Sequence, residues 1–463
     1  YYCVKYERRD IISLLEKSEH VLNIASSAKQ WLFFACQNGD EKFVNILLDF
    51  GMDLNCVDED ERTPLYLAAS RGHDQITKLL LDKGAKLETL CHNKNTLLHA
   101  ACESGNEVLV EDFLKRGLNI NACNVEDITP LHLACFNGSE EAVKVLINHK
   151  ANLSAIDKDG RSPLYLALLE NKRKTASLLI ESGVDVNAVN EEGRTMLHLA
   201  SETGHTKNNQ ERIVTGLIKF GAEINRGDHD GGTPLYVASW NGHNKTVECL
   251  VKCEADINHA NNDEDTPLYA ASKNGHEETV ECLMKYGAEI NCPNKYGCTP
   301  LYAASEKGHE QVVESLVKYG ADINSADKVN QTPLYIASSN GYEKTVECLV
   351  KYGAEVNRAD NSGRTPLYIA SWNGHARIVE CLAKCGAEIN CAKNDGWTPL
   401  YAASVNGHEN IVENLVEHGS EINRVTSDGK TPLDAAIGGN RKKIISFLKS
   451  KGAKRNVTED TDN

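Results

Sequence analysis

The chain has 463 residues, of which 41% are hydrophobic and 25% charged, so it can bury a core and carries an ordinary surface charge density. Its net charge is −16, and its lysines and arginines are spread along the sequence, which argues against nucleic acid and anionic membranes as partners. No apolar run approaches the roughly 20 residues of a membrane-spanning helix, so no direct membrane insertion is expected. The opening "YYCVKYERRD" lacks an initiator Met and a signal pattern, which suggests a piece of a longer protein.

From the N-terminus onward, the sequence indicates a repeat array. Residues 1–27 are predicted to be the remnant of a preceding repeat, acting as a cap, and a degenerate repeat follows around Trp31–Gly51. A triplet close to "TPL" then recurs every 33 residues, with one interval of 38. The first residues of the triplets, which we call anchors, are Thr63, Thr96, Thr129, Ser162, Thr195, Thr233, Thr266, Thr299, Thr332, Thr365, Thr398 and Thr431.

The unit "TPLYAASKNGHEETVECLMKYGAEINCPNKYGC", residues 266–298, illustrates the local structure that each repeat predicts. Thr266 can cap a helix of about two turns that begins at Pro267 and stops at Gly275. A second helix ends at Gly287, and the remainder predicts an extended excursion with a tight turn.

No single unit can bury its own apolar face. Leu268, Ala271, Val280 and Leu283 of this unit are expected to meet their equivalents in the neighbouring repeats. Because such short helices are marginal in isolation, the stack must supply their stability.

These residues resemble the ankyrin repeat over roughly residues 28–455. The resemblance implies an all-α fold with short β-hairpin fingers, in which antiparallel helix pairs form a curved solenoid. Most ankyrin repeats have His after "TPL", and here only His99, His132 and His198 keep it. We expect the tyrosine ring to preserve the packing elsewhere and its hydroxyl to replace one hydrogen bond between repeats. The tyrosines are Tyr66, Tyr165, Tyr236, Tyr269, Tyr302, Tyr335, Tyr368 and Tyr401.

The interval of 38 residues places an insertion at residues 206–210, between the two helices of one repeat. It separates a first block, residues 28–205, from a second block of near-identical repeats with a C-terminal cap, residues 211–452. A polar tail, residues 453–463, follows. Two interpretations stay open: the insertion is a hinge between cooperative blocks, or it is a harmless surface loop.

No constellation for catalysis or for a metal stands out, so we expect neither an enzyme nor a cofactor or metal. Cysteines in equivalent positions of adjacent repeats lie about 10 Å apart, too far for a disulfide. They are expected to be small buried apolar residues of a reducing compartment, the cytoplasm, with the nucleus as the alternative. The recurrent "GH" histidines are assigned a structural role at the start of the second helix: His73, His205, His243, His276, His309, His375 and His408.

In ankyrin proteins, partners usually bind the concave side, formed by the finger tips and the exposed end of the first helix. Counting from the anchors, these are the seventh residue after and the residue before each anchor, and Tyr296 lies on a finger. Here they hold aromatic, basic and apolar residues, the types that dominate interface energetics. The predicted partner-binding residues are Trp372, Trp397, Trp240, Tyr296, Arg364, Lys273, Ile128, Phe136 and Leu169. The alternative is that the tryptophan rings pack on their own or a neighbouring repeat.

The sequence therefore favours a non-catalytic scaffold that binds a protein partner in the concave groove and on the fingers, with no small-molecule substrate. The alternative is a spacer or spring, the cytosolic part of a larger membrane channel or signalling protein. The identity of the partner does not follow from the sequence.

Overall fold

The computed structural model describes residues 21–49, 51–91, 93–202 and 210–456. Within these ranges it contains 26 helices and no strand. The helices are α1 Val21–Asn38, α2 Glu41–Asp49, α3 Pro64–Ser70, α4 Asp74–Asp82, α5 Leu97–Ser104, α6 Glu107–Lys115, α7 Pro130–Asn137, α8 Glu140–Asn148, α9 Pro163–Leu169, α10 Arg173–Glu181, α11 Met196–Glu202, α12 Gln210–Lys219, α13 Pro234–Trp240, α14 Asn244–Lys252, α15 Pro267–Lys273, α16 Glu277–Lys285, α17 Pro300–Lys307, α18 Glu310–Lys318, α19 Pro333–Asn340, α20 Glu343–Lys351, α21 Pro366–Asn373, α22 Ala376–Lys384, α23 Pro399–Asn406, α24 Glu409–Glu417, α25 Pro432–Gly438 and α26 Lys442–Ser450.

The helix boundaries follow from the capping residues. The Thr266 hydroxyl accepts a hydrogen bond from the Tyr269 amide at 3.2 Å, and α15 begins at Pro267. Gly275 and Gly287, with φ of +78° and +91°, follow the ends of α15 and α16. The predicted start and stop signals are confirmed, because each acts within one turn of the helix it limits.

The interior is built from the same few positions in every repeat. Leu268, Ala271, Val280 and Leu283 are each at most 1% exposed. α15 packs against its partner α16 and against α17 of the next repeat, as predicted. Burying one such leucine or valine side chain contributes about 1.5–3 kcal/mol, and only the neighbouring repeat completes the burial.

Among the described residues, the segments before the anchors contain turns and an isolated β-bridge at Val189 and Thr195, but no strand of the short β-hairpins that the family resemblance implies. We call the seven residues before each anchor a finger. In the first finger, the Asp58 amide bonds the Arg62 carbonyl at 3.1 Å, and the Asp58 carboxylate accepts the amides of Asp60 and Arg62 at 3.0 and 2.8 Å. Because a side chain takes up these amides, no ladder of backbone hydrogen bonds is left to form strands.

Neighbouring fingers are joined through their backbones. The Lys295 amide donates to the Asp263 carbonyl, and the Lys328 amide donates to the Tyr296 carbonyl, both at 3.0 Å. This bond recurs from finger to finger and places equivalent side chains of successive fingers side by side.

The position after "TPL" differs between histidine and tyrosine repeats. Nε2 of His99 donates to the Ile128 carbonyl of the next finger at 2.9 Å, while its Nδ1 accepts the Thr96 amide at 3.1 Å. The Tyr302 hydroxyl instead lies 3.4 Å from a carboxylate oxygen of Asp327 in the next finger, to which it donates. In Tyr302 the hydroxyl thus replaces the histidine's hydrogen bond between repeats, with a side chain as acceptor in place of the carbonyl.

The "GH" histidines form a second link between repeats. Nε2 of His309 donates to the Lys273 carbonyl at 3.1 Å, and Nε2 of His375 donates to the Ser339 carbonyl at 3.1 Å. The same contact occurs at His73, His276 and His408, whereas His205 lies outside the described residues. These histidines therefore have the structural role that the sequence predicts.

The chain divides into two compact units. Unit 1 comprises residues 1–190 and 206–222 and contains α1–α10 and α12; unit 2 comprises residues 191–205 and 223–463 and contains α11 and α13–α26. Of the predicted insertion, residues 206–209 lie outside the described residues, and Gln210 begins α12. At the N-terminus, α1 continues across the boundary expected at residue 27. The predicted blocks, cap and tail remain predictions.

Candidate functional site

The side chains predicted to contact a partner occupy the fingers and the seventh position after the anchor, which form a recurrent surface of the repeats within each unit. We call this surface the finger face and define it as the fingers together with the seventh residue after each anchor. Its backbone is held firmly. The Trp372 carbonyl accepts hydrogen bonds from Asn406 at 3.1 Å and from His408 at 3.0 Å, both in the next repeat. The Trp240 carbonyl is held in the same way by the next repeat, so the backbone is fixed where each tryptophan side chain begins.

Trp372 and Trp397 are in contact. Their ring centroids lie 5.7 Å apart, and the pair is flanked by Tyr368, 6.5 Å from Trp372, and Tyr401, 4.6 Å from Trp397. We call these four rings the aromatic row. Both tryptophans are half-buried, so each packs within the protein and also presents part of its ring to solvent. The Lys393 ammonium lies 4.8 Å from the Trp397 ring centroid.

Trp240 lies on the same face but has no second tryptophan beside it. Its side chain is 40% exposed, and its ring lies 6.2 Å from Tyr236. The Lys273 ammonium is 5.9 Å from the Trp240 ring and 5.7 Å from Tyr269. The structure therefore brings together Trp240 and Lys273, which the sequence selects separately.

The side chains of Tyr296 and Arg364 differ in their exposure and in how far they are engaged by other residues of the chain. Tyr296 is 57% exposed, with the Lys295 ammonium 5.1 Å from its ring. Arg364 is half-buried, pairs with the Asp360 carboxylate at 2.7 Å and lies 5.9 Å from the Tyr335 ring. Much of the hydrogen-bonding capacity of Arg364 is consequently engaged within its own finger.

Of the three apolar residues predicted in unit 1, one is exposed and two are half-buried. Phe136 is 42% exposed, whereas Ile128 and Leu169 are half-buried. The Ile128 carbonyl also accepts the hydrogen bond from His99, so its backbone takes part in the contact between repeats.

A run of apolar residues in unit 1 was missed by the sequence analysis. The sixth residue before each anchor is exposed in five successive repeats, and these residues are Val57 (40%), Leu90 (55%), Cys123, Ile156 (53%) and Val189 (44%). From residue 227 to residue 392 the same position holds only glycine, alanine and proline. The apolar residues at this position of the repeat are themselves the sequence signal for this run.

Fingers of unit 2 carry carboxylates close to the tyrosine hydroxyls. Burial first, and then the carboxylates of nearby fingers, raise the pKa of Tyr236, Tyr269 and Tyr302. These tyrosines therefore stay protonated at physiological pH, and of the three the Tyr302 hydroxyl donates to the next finger.

The described part of the chain contains no group of three metal-ligating side chains. Its fifteen described cysteines are free, and burial followed by the neighbouring Cys385 raises the pKa of the Cys381 thiol to about 11, which disfavours the thiolate that binds metals. No helix among residues 21–49, 51–91, 93–202 and 210–456 is long and apolar enough to cross a membrane.

Comparison with protein families gives one family whose model, ankyrin repeats in three copies, matches six overlapping segments: residues 32–124, 108–190, 183–261, 244–327, 324–393 and 378–459. Comparison with curated protein sequences finds no significant match. Since the matches extend from residue 32 to residue 459 and the helix pairs pack in sequence, the chain belongs to the ankyrin repeat family.

Proposed function

We propose that the chain is a non-catalytic scaffold that binds a protein partner on its finger face. Ankyrin repeats are generally protein-interaction modules. One observation carries the more specific proposal: nine of the eleven exposed large apolar side chains among the described residues lie on this face. The nine are Val57, Leu90, Phe136, Ile156, Val189, Trp240, Tyr296, Val329 and Val425.

The other two exposed apolar residues are Val108 in α6 and Tyr319 immediately after α18, so the surface of the second helices is comparatively polar. A stack needs no exposed apolar residues on its fingers for stability, because its interior is complete without them. Exposed apolar side chains at the same positions of successive repeats favour association, and tryptophan and tyrosine contribute most energy per residue at interfaces.

The aromatic row provides the first test. We expect a Trp372→Ala/Trp397→Ala double variant to lose most partner capture in a pull-down from a cell extract, since two large rings leave the surface. The captured protein is identified by mass spectrometry, and its affinity for the purified chain is then measured. Unchanged affinity would remove the aromatic row from the proposed surface.

Because the two rings also contact Tyr368 and Tyr401, the double variant needs a control for folding. Trp372→Phe/Trp397→Phe keeps aromatic packing in the row, and the melting temperatures of all three proteins are compared. Loss of capture in the alanine variant, with a melting temperature near that of the phenylalanine variant, supports binding. A fall of many degrees, with affinity retained in the fraction that stays folded, argues for a packing role alone.

A further inference from the structure

We propose that a cleft beside Trp240 in unit 2 binds an arginine side chain from a basic, extended segment of the partner. The inference rests on the proposed function and names the chemistry of the partner at one part of the finger face. The cleft has a volume of about 490 Å³, and its lining includes Arg194, Glu202, Asp230, Tyr236, Trp240 and Asp263. Cavities of this size hold ligands the size of a few amino-acid side chains.

The floor of the cleft is aromatic. The rings of Tyr236 and Trp240 have centroids 6.2 Å apart and planes inclined by 30°, so two aromatic rings lie side by side in the lining of the cleft. The next repeat fixes the Trp240 backbone through His276 and Asn274, at 2.9 and 3.2 Å from its carbonyl. A planar guanidinium can therefore stack on a surface that is already in place.

The walls of the cleft are acidic. The residues that line the cleft include four carboxylates, Glu202, Asp228, Asp230 and Asp263, and one cation, Arg194. Asp228 is already engaged, since it accepts two amides of its own finger and a hydrogen bond from Arg194 at 3.3 Å. Asp230 is exposed, and the Glu202 side chain, although 3.2 Å from Arg194, is 45% exposed. These two carboxylates are the acceptors best placed for an incoming cation.

Lysine residues neutralise only part of this charge. Lys295 pairs with Asp263, and Lys273 lies 5.9 Å from the Trp240 ring but does not line the cleft. The nearby carboxylates also act on Tyr236. Its pKa is raised first by burial and then by Asp265, Asp263, Asp228 and Asp230. Arg194 offsets one further charge, but the lining carboxylates still outnumber the cations, so the cleft favours a cation over a neutral or anionic group.

The glycine at position 232, where other repeats have arginine, accounts for the space in the cleft. At the residue before the anchor, Arg62, Arg161 and Arg364 each pair with the aspartate four residues earlier, at 2.8, 2.8 and 2.7 Å. In the finger that ends at Gly232 this position has no side chain. Asp228, four residues earlier, accepts instead from Arg194 of the preceding finger at 3.3 Å, and the missing side chain leaves space beside Tyr236 and Trp240 for the partner's guanidinium.

Arginine is favoured over lysine because its flat guanidinium can stack on Trp240 and donate forked hydrogen bonds to a carboxylate at the same time. The probe is a fluorescein-labelled twelve-residue Gly/Ser peptide with three arginines, compared with the same peptide carrying three lysines. Fluorescence anisotropy measures the affinity of each for the full 463-residue chain at 150 mM salt, about physiological ionic strength.

We expect Trp240→Ala and Asp230→Asn each to weaken binding of the arginine peptide at least about fivefold. The matched control is Asp60→Asn, which removes the same charge at the same repeat position of a finger in unit 1, and it should change the affinity less than about twofold. The arginine peptide should also bind several-fold more tightly than the lysine peptide. Trp240→Phe keeps an aromatic face and should retain most of the affinity. It is the control for a loss of binding that results from misfolding of the alanine variant.

The inference would be overturned if Asp60→Asn weakened binding as much as Asp230→Asn. It would also be overturned if the two peptides bound equally tightly and Trp240→Ala had no effect. Either result would indicate a general attraction of basic peptides to an acidic chain. No binding of either peptide would overturn it as well. If the partner is nevertheless captured through Trp372 and Trp397, the proposed function stands while the arginine site falls.

Discussion

Gly275→Ala should lower the free energy of unfolding by about 3 kcal/mol, whereas Gly287→Ala in the same repeat should lower it by only about 1 kcal/mol. Both glycines have positive φ, +78° and +91°, so alanine introduces similar backbone strain at each. A Cβ at Gly275 would also lie 2.6 Å from Nδ1 of His309 in the next repeat, while a Cβ at Gly287 meets nothing within 4 Å. The difference measures the cost of disturbing the contact between repeats.

Hydrogen exchange of the two variants distinguishes this explanation from local strain. Gly275→Ala should accelerate exchange in its own repeat and also in α17 and α18, because the displaced His309 ring loses its bond to the Lys273 carbonyl. Gly287→Ala should affect mainly the end of α16. Identical exchange profiles for the two variants would show that the histidine contact does not couple the repeats.

Acidification from pH 7 to pH 4 should destabilise the repeat that contains His99 by up to about 3 kcal/mol through this residue. Burial, with a smaller effect from His132, lowers the pKa of His99 from 6.5 to about 4. Between these two values the unfolded chain binds a proton at His99 that the folded chain does not bind. The contribution of His99 to the free energy of unfolding is therefore fully present above pH 6.5 and falls as the pH decreases towards 4.

His99→Tyr supplies the control, because it introduces the residue that stands at this position in neighbouring repeats, such as Tyr66. Urea unfolding followed by circular dichroism at pH 7, 6, 5 and 4 gives the free energy of unfolding of both proteins. The variant should be less stable at pH 7, since it loses the bonds to Thr96 and Ile128, but its stability should fall less steeply. Parallel curves for the two proteins would mean that His99 is not responsible for the pH dependence.

Local chemistry made the helices predictable. The starts at Pro267 and Pro333 and the stops at Gly275 and Gly287 depend on residues within one turn, and the repeat presents them again and again. The fingers were harder to predict, because the Asp58 carboxylate accepts amides that a hairpin would pair with backbone carbonyls. Only a structure shows which acceptor takes these amides.

The composition of the finger face was likewise predictable, but its contacts were not. Counting from the anchors placed Trp372 and Trp397 in adjoining repeats, yet the 5.7 Å between their rings depends on the packing of one repeat on the next. The engagement of Arg364 by Asp360 required knowing how the finger turns. The exposed run from Val57 to Val189 needed no structure, only a comparison of a third repeat position.

Site-specific photocrosslinking at two tyrosines tests most directly whether the finger face binds the partner. Tyr296 and Tyr319 are 57% and 52% exposed, the first on a finger and the second at the end of a second helix. Each is replaced in turn by the photoreactive residue p-benzoylphenylalanine in the full chain, and crosslinked products are analysed after irradiation with the partner bound. The proposed surface predicts a crosslink from position 296 and little or none from position 319. A crosslink from position 319 alone would contradict it and place the partner on the second helices.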